Sequence, residues 1–392
     1  MRITFLTGGL EPGRDGVGDY SRLLAGACRK LGQEVTIIAL NDTKVDGTKE
    51  GLVDGIPSLQ IPTSKPWPQK WVRAGEFLSK YPSDWLSLQF VPYAFGKRGL
   101  FNEFLKGIPK LAMGKRVHLK FHEIWIGQYP QSPLKERLVG YLQKRLVRRL
   151  VRSLKPKVIH YTNAGAKIRL EQAGIRAQYL PVFSNIPLQP KGEENWIIQR
   201  LLNENVTIPD DNPDRFLFFG FFGSIHNKWP ARQLLERLRM YTAAQSKRPA
   251  LLHAGILPRT RNRWREIQKN YSGDWLIHSF GKLQDAEISS YLQSLDFGMT
   301  STPWDLVGKS GAIAAMVEHG LPVIVNVEGG TPGAPLVIQE QFEPLILNAD
   351  EQLLLKLPAP LRQKPVPDNL SFVAEQFLLS LEASGSPKEA TF

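Results

Sequence analysis

The stretch Ser301 to Val325, S-T-P-W-D-L-V-G-K-S-G-A-I-A-A-M-V-E-H-G-L-P-V-I-V, constrains the fold more than any other part of the chain. The apolar run Leu295 to Thr300 predicts a strand before it, Pro303 and Gly308 predict a turn, and a helical run then ends at Gly320. A second apolar strand, Pro322 to Val325, follows at once. Strand, loop, helix and strand in this order make part of a βαβ unit, with the helix N-terminus aimed out of the carboxyl edge of a parallel sheet. Backbone N–H groups and the helix dipole make such an edge a site for an anion, phosphate above all.

Gly308-Lys309-Ser310 has the look of a P-loop ending. That motif needs a glycine at position 303 so that the backbone can wrap phosphates, and Pro303 stands there, which argues against an NTPase. Two readings of Gly308, Lys309, Ser310 and Gly311 stay open. They can bind phosphate, or they can simply cap a core helix, since Ser is a common N-cap residue.

A chain of 392 residues allows about two or three domains, each able to bury its own core. Hydrophobic residues at 42% and charged residues at 22% describe a soluble globular protein. Met1 to Phe5 already reads as a strand, with no secretory leader, and no apolar run approaches the roughly 20 residues of a membrane span. A cytoplasmic protein is expected, at most peripheral on the inner face of a membrane. The single cysteine, Cys28, excludes intrachain disulfides and cysteine-rich metal sites. It falls among Leu23, Leu24, Ala27 and Leu31 at helical spacing, as a buried filler would.

Charge is unevenly spread. Up to Pro190 the chain carries 30 Lys and Arg against 14 Asp and Glu, and beyond it 20 against 23. The whole basic excess belongs to the N-terminal half, where an anionic partner is expected.

That half alternates strands and helices: a strand at Arg2 to Leu6, a helix at Asp19 to Leu31, a strand at Glu34 to Leu40. Between the first two lies G-G-L-E-P-G-R-D-G-V-G-D-Y, whose glycines, Gly16 and Gly18 among them, let a backbone approach a ligand closely or serve only to turn the chain. It is not the dinucleotide fingerprint, because no G-x-G-x-x-G opens the helix and no acidic residue ends the second strand; Asn41 and Asp42 come nearest. Trp85 to Val91 and Val117 to Phe121 are further strands. The latter runs into His122, which at a strand's carboxyl end can hydrogen-bond a sugar or phosphate, or act as a supporting histidine.

Pro133 to Lys157 is a long amphipathic helix with Leu134, Leu138, Leu142, Leu146, Leu150 and Leu154 along one side. Arg145, Arg148, Arg149 and Arg152 stand in its basic array, opposed by a lone Glu136. Such a face attracts an anionic acceptor or lipid surface, or is merely solvated. Nucleic acid is disfavoured, since no groove-reading motif or stacking platform accompanies the charge.

Val158 to Thr162 and Gln178 to Pro181 close a first domain, 1–190; the polar stretch 191–215 is the expected linker. A second alternation occupies 216–392, with F-L-F-F-G-F-F running into Gly223-Ser224-Ile225-His226-Asn227-Lys228. Its last helix, Phe372 to Leu381, can return to the first domain. The expected fold class is α/β, two Rossmann-like domains facing a cleft.

Taken together, these segments resemble the GT-B glycosyltransferases of the glycogen-synthase-like, family-4 type, from the first strand to about residue 330. The resemblance rests on the Gly-rich loop Gly8 to Tyr20, His122, P-V-F-S-N-I-P, F-F-G-S-I-H-N-K-W, H-A-G-I, F-G-K-L, L-D-F-G-M-T-S-T-P and H-G-L-P-V-I-V. The family's pair of glutamates, seven residues apart around the donor, falls on Val307 and Ala315 here. Its arginine after the first C-domain strand falls on Ser224, and its following lysine on Lys228. Asp305 or Glu318 could stand in for a lost carboxylate, and Lys309 with Ser310 matches a divergent branch.

The resemblance implies transfer of a sugar from a nucleotide-sugar donor to a glycan or lipid-linked acceptor on the basic N-domain, with retention of configuration. His122 and Asp305 would be catalytic, and Gly16, Gly18, Ser224, Lys228, Gly308, Lys309, Ser310 and Gly311 would hold the donor. Neither cofactor nor metal is expected, because Lys228, Lys309, Ser310 and the helix N-terminus would stabilise the pyrophosphate leaving group. A non-catalytic nucleotide-sugar or glycan-binding protein, or a peripheral membrane adaptor, are the alternatives.

Overall fold

The computed structural model describes residues 1–384, apart from 14–15, 130, 191–194, 210–211, 227–228, 230, 258–260, 326–329, 332 and 350–362. Lys228 therefore lies outside the described residues. The chain divides into two α/β units, one made of Met1–Phe183 with the chain from Leu370 onward, the other of Ser184–Asn369.

In the first unit β1 (Arg2–Thr7), α1 (Gly16–Lys30), β2 (Glu34–Asp42), β3 (Lys49–Val53), β4 (Ile56–Pro62), α2 (Trp67–Lys80) and β5 (Trp85–Phe90) are followed by α3 (Pro92–Phe95), α4 (Asn102–Leu111), β6 (Arg116–Phe121), α5 (Leu134–Leu154), β7 (Val158–Tyr161), α6 (Ala164–Gln172) and β8 (Gln178–Tyr179). The strands form one sheet in the order β3-β4-β2-β1-β5-β6-β7-β8. All neighbours run parallel except the hairpin of β3 and β4. That hairpin turns through Asp54 and Gly55, both at positive φ, which the Asp-Gly pair accommodates. β5 is buried along its whole length and β1 along all but its first residue, as parallel strands covered by helices on both faces must be.

The second unit contains α7 (Trp196–Asn203), β9 (Phe216–Phe222), α8 (Ala231–Ala244), β10 (Arg248–Ala254), α9 (Arg261–Tyr271), β11 (Leu276–Gly281), α10 (Asp285–Ser294), β12 (Phe297–Thr300), α11 (Gly311–Glu318), β13 (Val323–Val325) and β14 (Ile346–Asn348). Its parallel sheet has the order β11-β10-β9-β12-β13-β14. This is the strand order of a doubly wound nucleotide-binding sheet, and its direction reverses between β9 and β12. A last helix, α12 (Asn369–Ala383), sends Val373, Phe377 and Leu381 into the core that holds Ile3, Phe5 and Ile37 of the first unit.

Three expectations need correction. Residues 191–215 are not simply a linker: Ile197, Ile198 and Leu201 of α7 are buried in the core of the second unit. α1 begins at Gly16, so Gly16 and Gly18 belong to the helix instead of the loop before it. The six leucines of α5 do not share a face, because a spacing of four residues advances about 40° at each step around a helix with 3.6 residues per turn. Only Leu150 and Leu154 reach the interior, with Gly140, Gln143 and Val147 completing the buried side.

Candidate functional site

The carboxyl edge of the second sheet is built for close approach. Gly281 ends β11, and Gly223 and Gly255 follow β9 and β10 at once, all three at positive φ. Gly223 N–H donates to Ala254 O at 2.9 Å and Gly255 N–H to Gly281 O at 2.7 Å, stitching the three ends together. A Cβ on Gly255 would come within 3.0 Å of Gly223 O, so no larger residue fits there without movement. His253 braces the same edge. Its Nε2 contacts Gly223 O at 2.7 Å, which can only accept, so Nε2 carries the proton and Nδ1 accepts from Ser279 Oγ at 2.9 Å. Burial lowers its pKa and keeps the ring neutral.

At the reversal point the loops after β9 and β12 meet. His226 N–H donates to Ser301 Oγ at 2.8 Å, and exposed Ser224 lies in the loop so anchored. Beyond Ser301, residues Trp304–Lys309 form a short 3-10 turn, with Gly308 buried and Lys309 half-buried. Ser310 then caps α11, accepting from Ile313 N–H at 3.3 Å. Its hydroxyl proton can still be donated to a ligand. Helix geometry leaves the N–H groups of Gly311 and Ala312 without an intrahelical acceptor, and open space surrounds the missing side chain of Gly311. A Cβ on Gly223 would stand 3.9 Å from that of Ala312, so the end of β9 adjoins the first turn of α11. The edge thus brings the loop of Ser224 beside Ser310 and Gly311 at the first turn of α11, whose N–H groups are donors of the kind a phosphate accepts, with Lys309 next before them in the chain.

The two candidate carboxylates are buried and already engaged within the unit. Asp305 is fully buried and accepts from Thr331 Oγ1 at 2.8 Å, fastening the turn from inside. Glu318 ends α11, about 12 Å along the axis from Ser310 at 1.5 Å per residue. Its Oε1 accepts from Ser184 N–H and Asn369 Nδ2, both at 2.8 Å, and burial raises its pKa to about 7. Val307 and Ala315, where the resemblance places glutamates, are core residues.

In the first unit the direction of the sheet reverses between β1 and β5. The loop after β1 is pinned by two carboxylates. Asp42 Oδ2 accepts from Leu10 N–H at 3.0 Å, and Asp19 accepts from Gly13 N–H through both oxygens. β2 therefore does end in an acidic residue, contrary to expectation, but its carboxylate holds the loop. Gly18 is required by packing, since a Cβ there would lie 2.6 Å from Gly9 O; Gly16 meets no such limit.

His122 follows β6 and contacts Gln89 Oε1 through Nε2 at 2.9 Å. Gln89 donates its amide to Ser87 Oγ, so its oxygen faces His122 and Nε2 of that ring carries the proton. The chain runs on through Ser87, His118 and His160, two histidines that burial keeps neutral. Beside it, buried Lys120 donates to Tyr20 Oη, Leu180 O and Pro181 O, while Tyr20 packs edge-on against His122 and face-on against Phe183. The alternation His118, Lys120, His122 along a buried strand was the available sequence signal for this polar row. On α5, Arg145, Arg149 and Arg152 are exposed, and Arg148 donates to Ala173 O at 3.3 Å.

Two Rossmann-like units of this kind, with a phosphate-suited edge on the second, define the GT-B fold, and the solved structures agree. At 13% identity and a TM-score of 0.56, over 98% of both chains, the chain is similar to Anabaena Alr3699/HepE in complex with UDP and glucose. A Rickettsia africae glycosyltransferase matches 98% of this chain and 89% of its own at 14% identity and a TM-score of 0.54. A UDP-N-acetylglucosamine 2-epimerase of Listeria monocytogenes, itself assigned provisionally, matches 97% and 96% at 12% identity and 0.52. By sequence, no family model and no curated protein matches.

Proposed function

We propose that the protein is a glycosyltransferase of EC class 2.4. In this reading it moves a sugar from a nucleotide-sugar donor to a glycan or lipid-linked acceptor, with retention, as a step in polysaccharide assembly. The observation that carries it is the α11 N-terminus, with Lys309 and Ser310, set at the reversal point of a β11-β10-β9-β12-β13-β14 sheet in which β9, β10 and β11 finish at positive-φ glycines. As the bond from the anomeric carbon to the pyrophosphate oxygen breaks, negative charge grows on the leaving group. Ser310, the first-turn N–H groups of α11 and the ammonium of Lys309 are fixed donors for that charge, and this chemistry calls for no metal. The solved complex of Alr3699/HepE with UDP and glucose supports a uridine nucleotide as the first donor to try.

Val307 and Ala315 in the core favour one other reading, a nucleotide-sugar-binding protein without transfer activity. Release of nucleotide from UDP-, GDP-, ADP-, TDP- and CMP-sugars, followed together with melting temperature, separates the two. A donor that raises the melting point and is slowly hydrolysed supports the transferase. Stabilisation with no turnover, even when candidate acceptors are supplied, supports the binding protein.

A further inference from the structure

The solvent side of α5 is divided along its length. Its orientation is fixed by Gln143, whose Oε1 accepts from Ile126 N–H at 3.0 Å and whose Nε2 donates to Arg98 O at 2.8 Å. With Gln143 and Leu150 inward, the outward stripe reads Leu134, Leu138, Tyr141 and Leu142, then Arg145, Arg149 and Arg152. The first four are 82%, 63%, 55% and 40% exposed, an apolar patch at helical spacing that packing leaves uncovered. The three arginines, also exposed, continue the same stripe. No helix among the described residues is long and apolar enough to cross a membrane.

We propose that α5 docks the protein on an anionic bilayer, its leucine half entering the boundary between headgroups and acyl chains while Arg145, Arg149 and Arg152 stay among the phosphates. A bilayer presents an apolar layer beside an anionic one in the order that this stripe requires. A second copy fits less well. Packed parallel it would set arginine against arginine, and packed antiparallel it would set arginine against leucine. Lys135, Arg137 and Lys155 add to the positive field, and Glu136 is the one carboxylate on the helix itself. The 21-residue helix is about 30 Å long, so its two halves can lie at different depths with a modest tilt.

Co-sedimentation of the whole protein with vesicles tests this without donor or acceptor, so its failure leaves the transferase proposal untouched, and the reverse. Vesicles with about 30% anionic lipid should bind the protein, neutral ones should not, and Arg149→Glu with Arg152→Glu should weaken binding by about twentyfold or more. Leu134→Glu with Leu138→Glu should weaken it at least tenfold, with unchanged melting temperature since neither residue is buried. Three results overturn the proposal. One is equal or absent binding to both vesicle types. Another is leucine variants that bind like the unaltered protein, which means adsorption by charge alone. The last is leucine variants that change only the mass seen by light scattering, which means a contact between copies.

Discussion

The backbone N–H of His226 donates to the hydroxyl of Ser301 at 2.8 Å, tying the loop after β9 to the loop after β12 across the reversal point of the second sheet. Ser224 and the turn into α11 are thereby held on opposite sides of one anchor. Ser301→Ala removes the acceptor while leaving both strands intact. A hydrogen bond of about 1 kcal/mol corresponds to a fall of roughly fivefold in affinity for the nucleotide. Titration with UDP measures it, and an unchanged dissociation constant would detach this loop from the site.

Lys309 and Ser310 should separate by readout. Lys309→Ala is expected to lower turnover about tenfold or more with little effect on melting, because its charge acts on the leaving group and it is not a core residue. Ser310→Ala should also lower the melting temperature, since the loss of an N-cap costs about 1 kcal/mol. Full turnover by Lys309→Ala at saturating donor would remove that residue from the chemistry.

How far these features could be read beforehand depended on whether they were local. The strand before Ser301, the helix ending at Gly320 and the strand after it are written in apolar periodicity, and the structure places β12, α11 and β13 there. Ser310 was visible as a cap for the same reason. The roles of Asp19 and Asp42 were not, because each depends on a loop that only the fold brings within reach. The hairpin of β3 and β4 carries a turn signal in Asp54-Gly55, but its outer strand is too polar and exposed to stand out as a strand. In α5 a regular spacing of four is not a common face, because the drift of the helix puts half of the leucines in solvent.

Two glycines of α1 should respond in opposite directions. Gly26→Ala meets nothing within 4 Å, so removing a mid-helix glycine should stabilise the protein by about 0.5–1 kcal/mol. Gly18→Ala offers the same helical gain, yet its Cβ would stand 2.6 Å from the carbonyl oxygen of Gly9, which is backbone and cannot swing aside. Displacing the loop costs more than the gain, about 1–3 kcal/mol for an overpacked site. Thermal melts of both variants decide the matter, and two increases would mean that the loop yields freely.

Glu318 gives the second unit a pH dependence whose sign can be fixed. Burial raises its pKa from 4.5 to about 7, against the opposing pull of Asn369 and Ser184. The folded protein therefore holds a proton that the unfolded chain releases between those two values. Stability falls as pH rises through that window and is level above it, with a loss of order 1–3 kcal/mol. Glu318→Gln keeps the acceptor oxygen for both hydrogen bonds and cannot ionise. The two proteins should melt alike near the acid end of the window, about pH 4.5, and the variant should melt higher by pH 8. Parallel melting curves from pH 4.5 to 8 would show that Asn369 and Ser184 hold the carboxylate ionised despite its burial, with burial no longer the dominant cause.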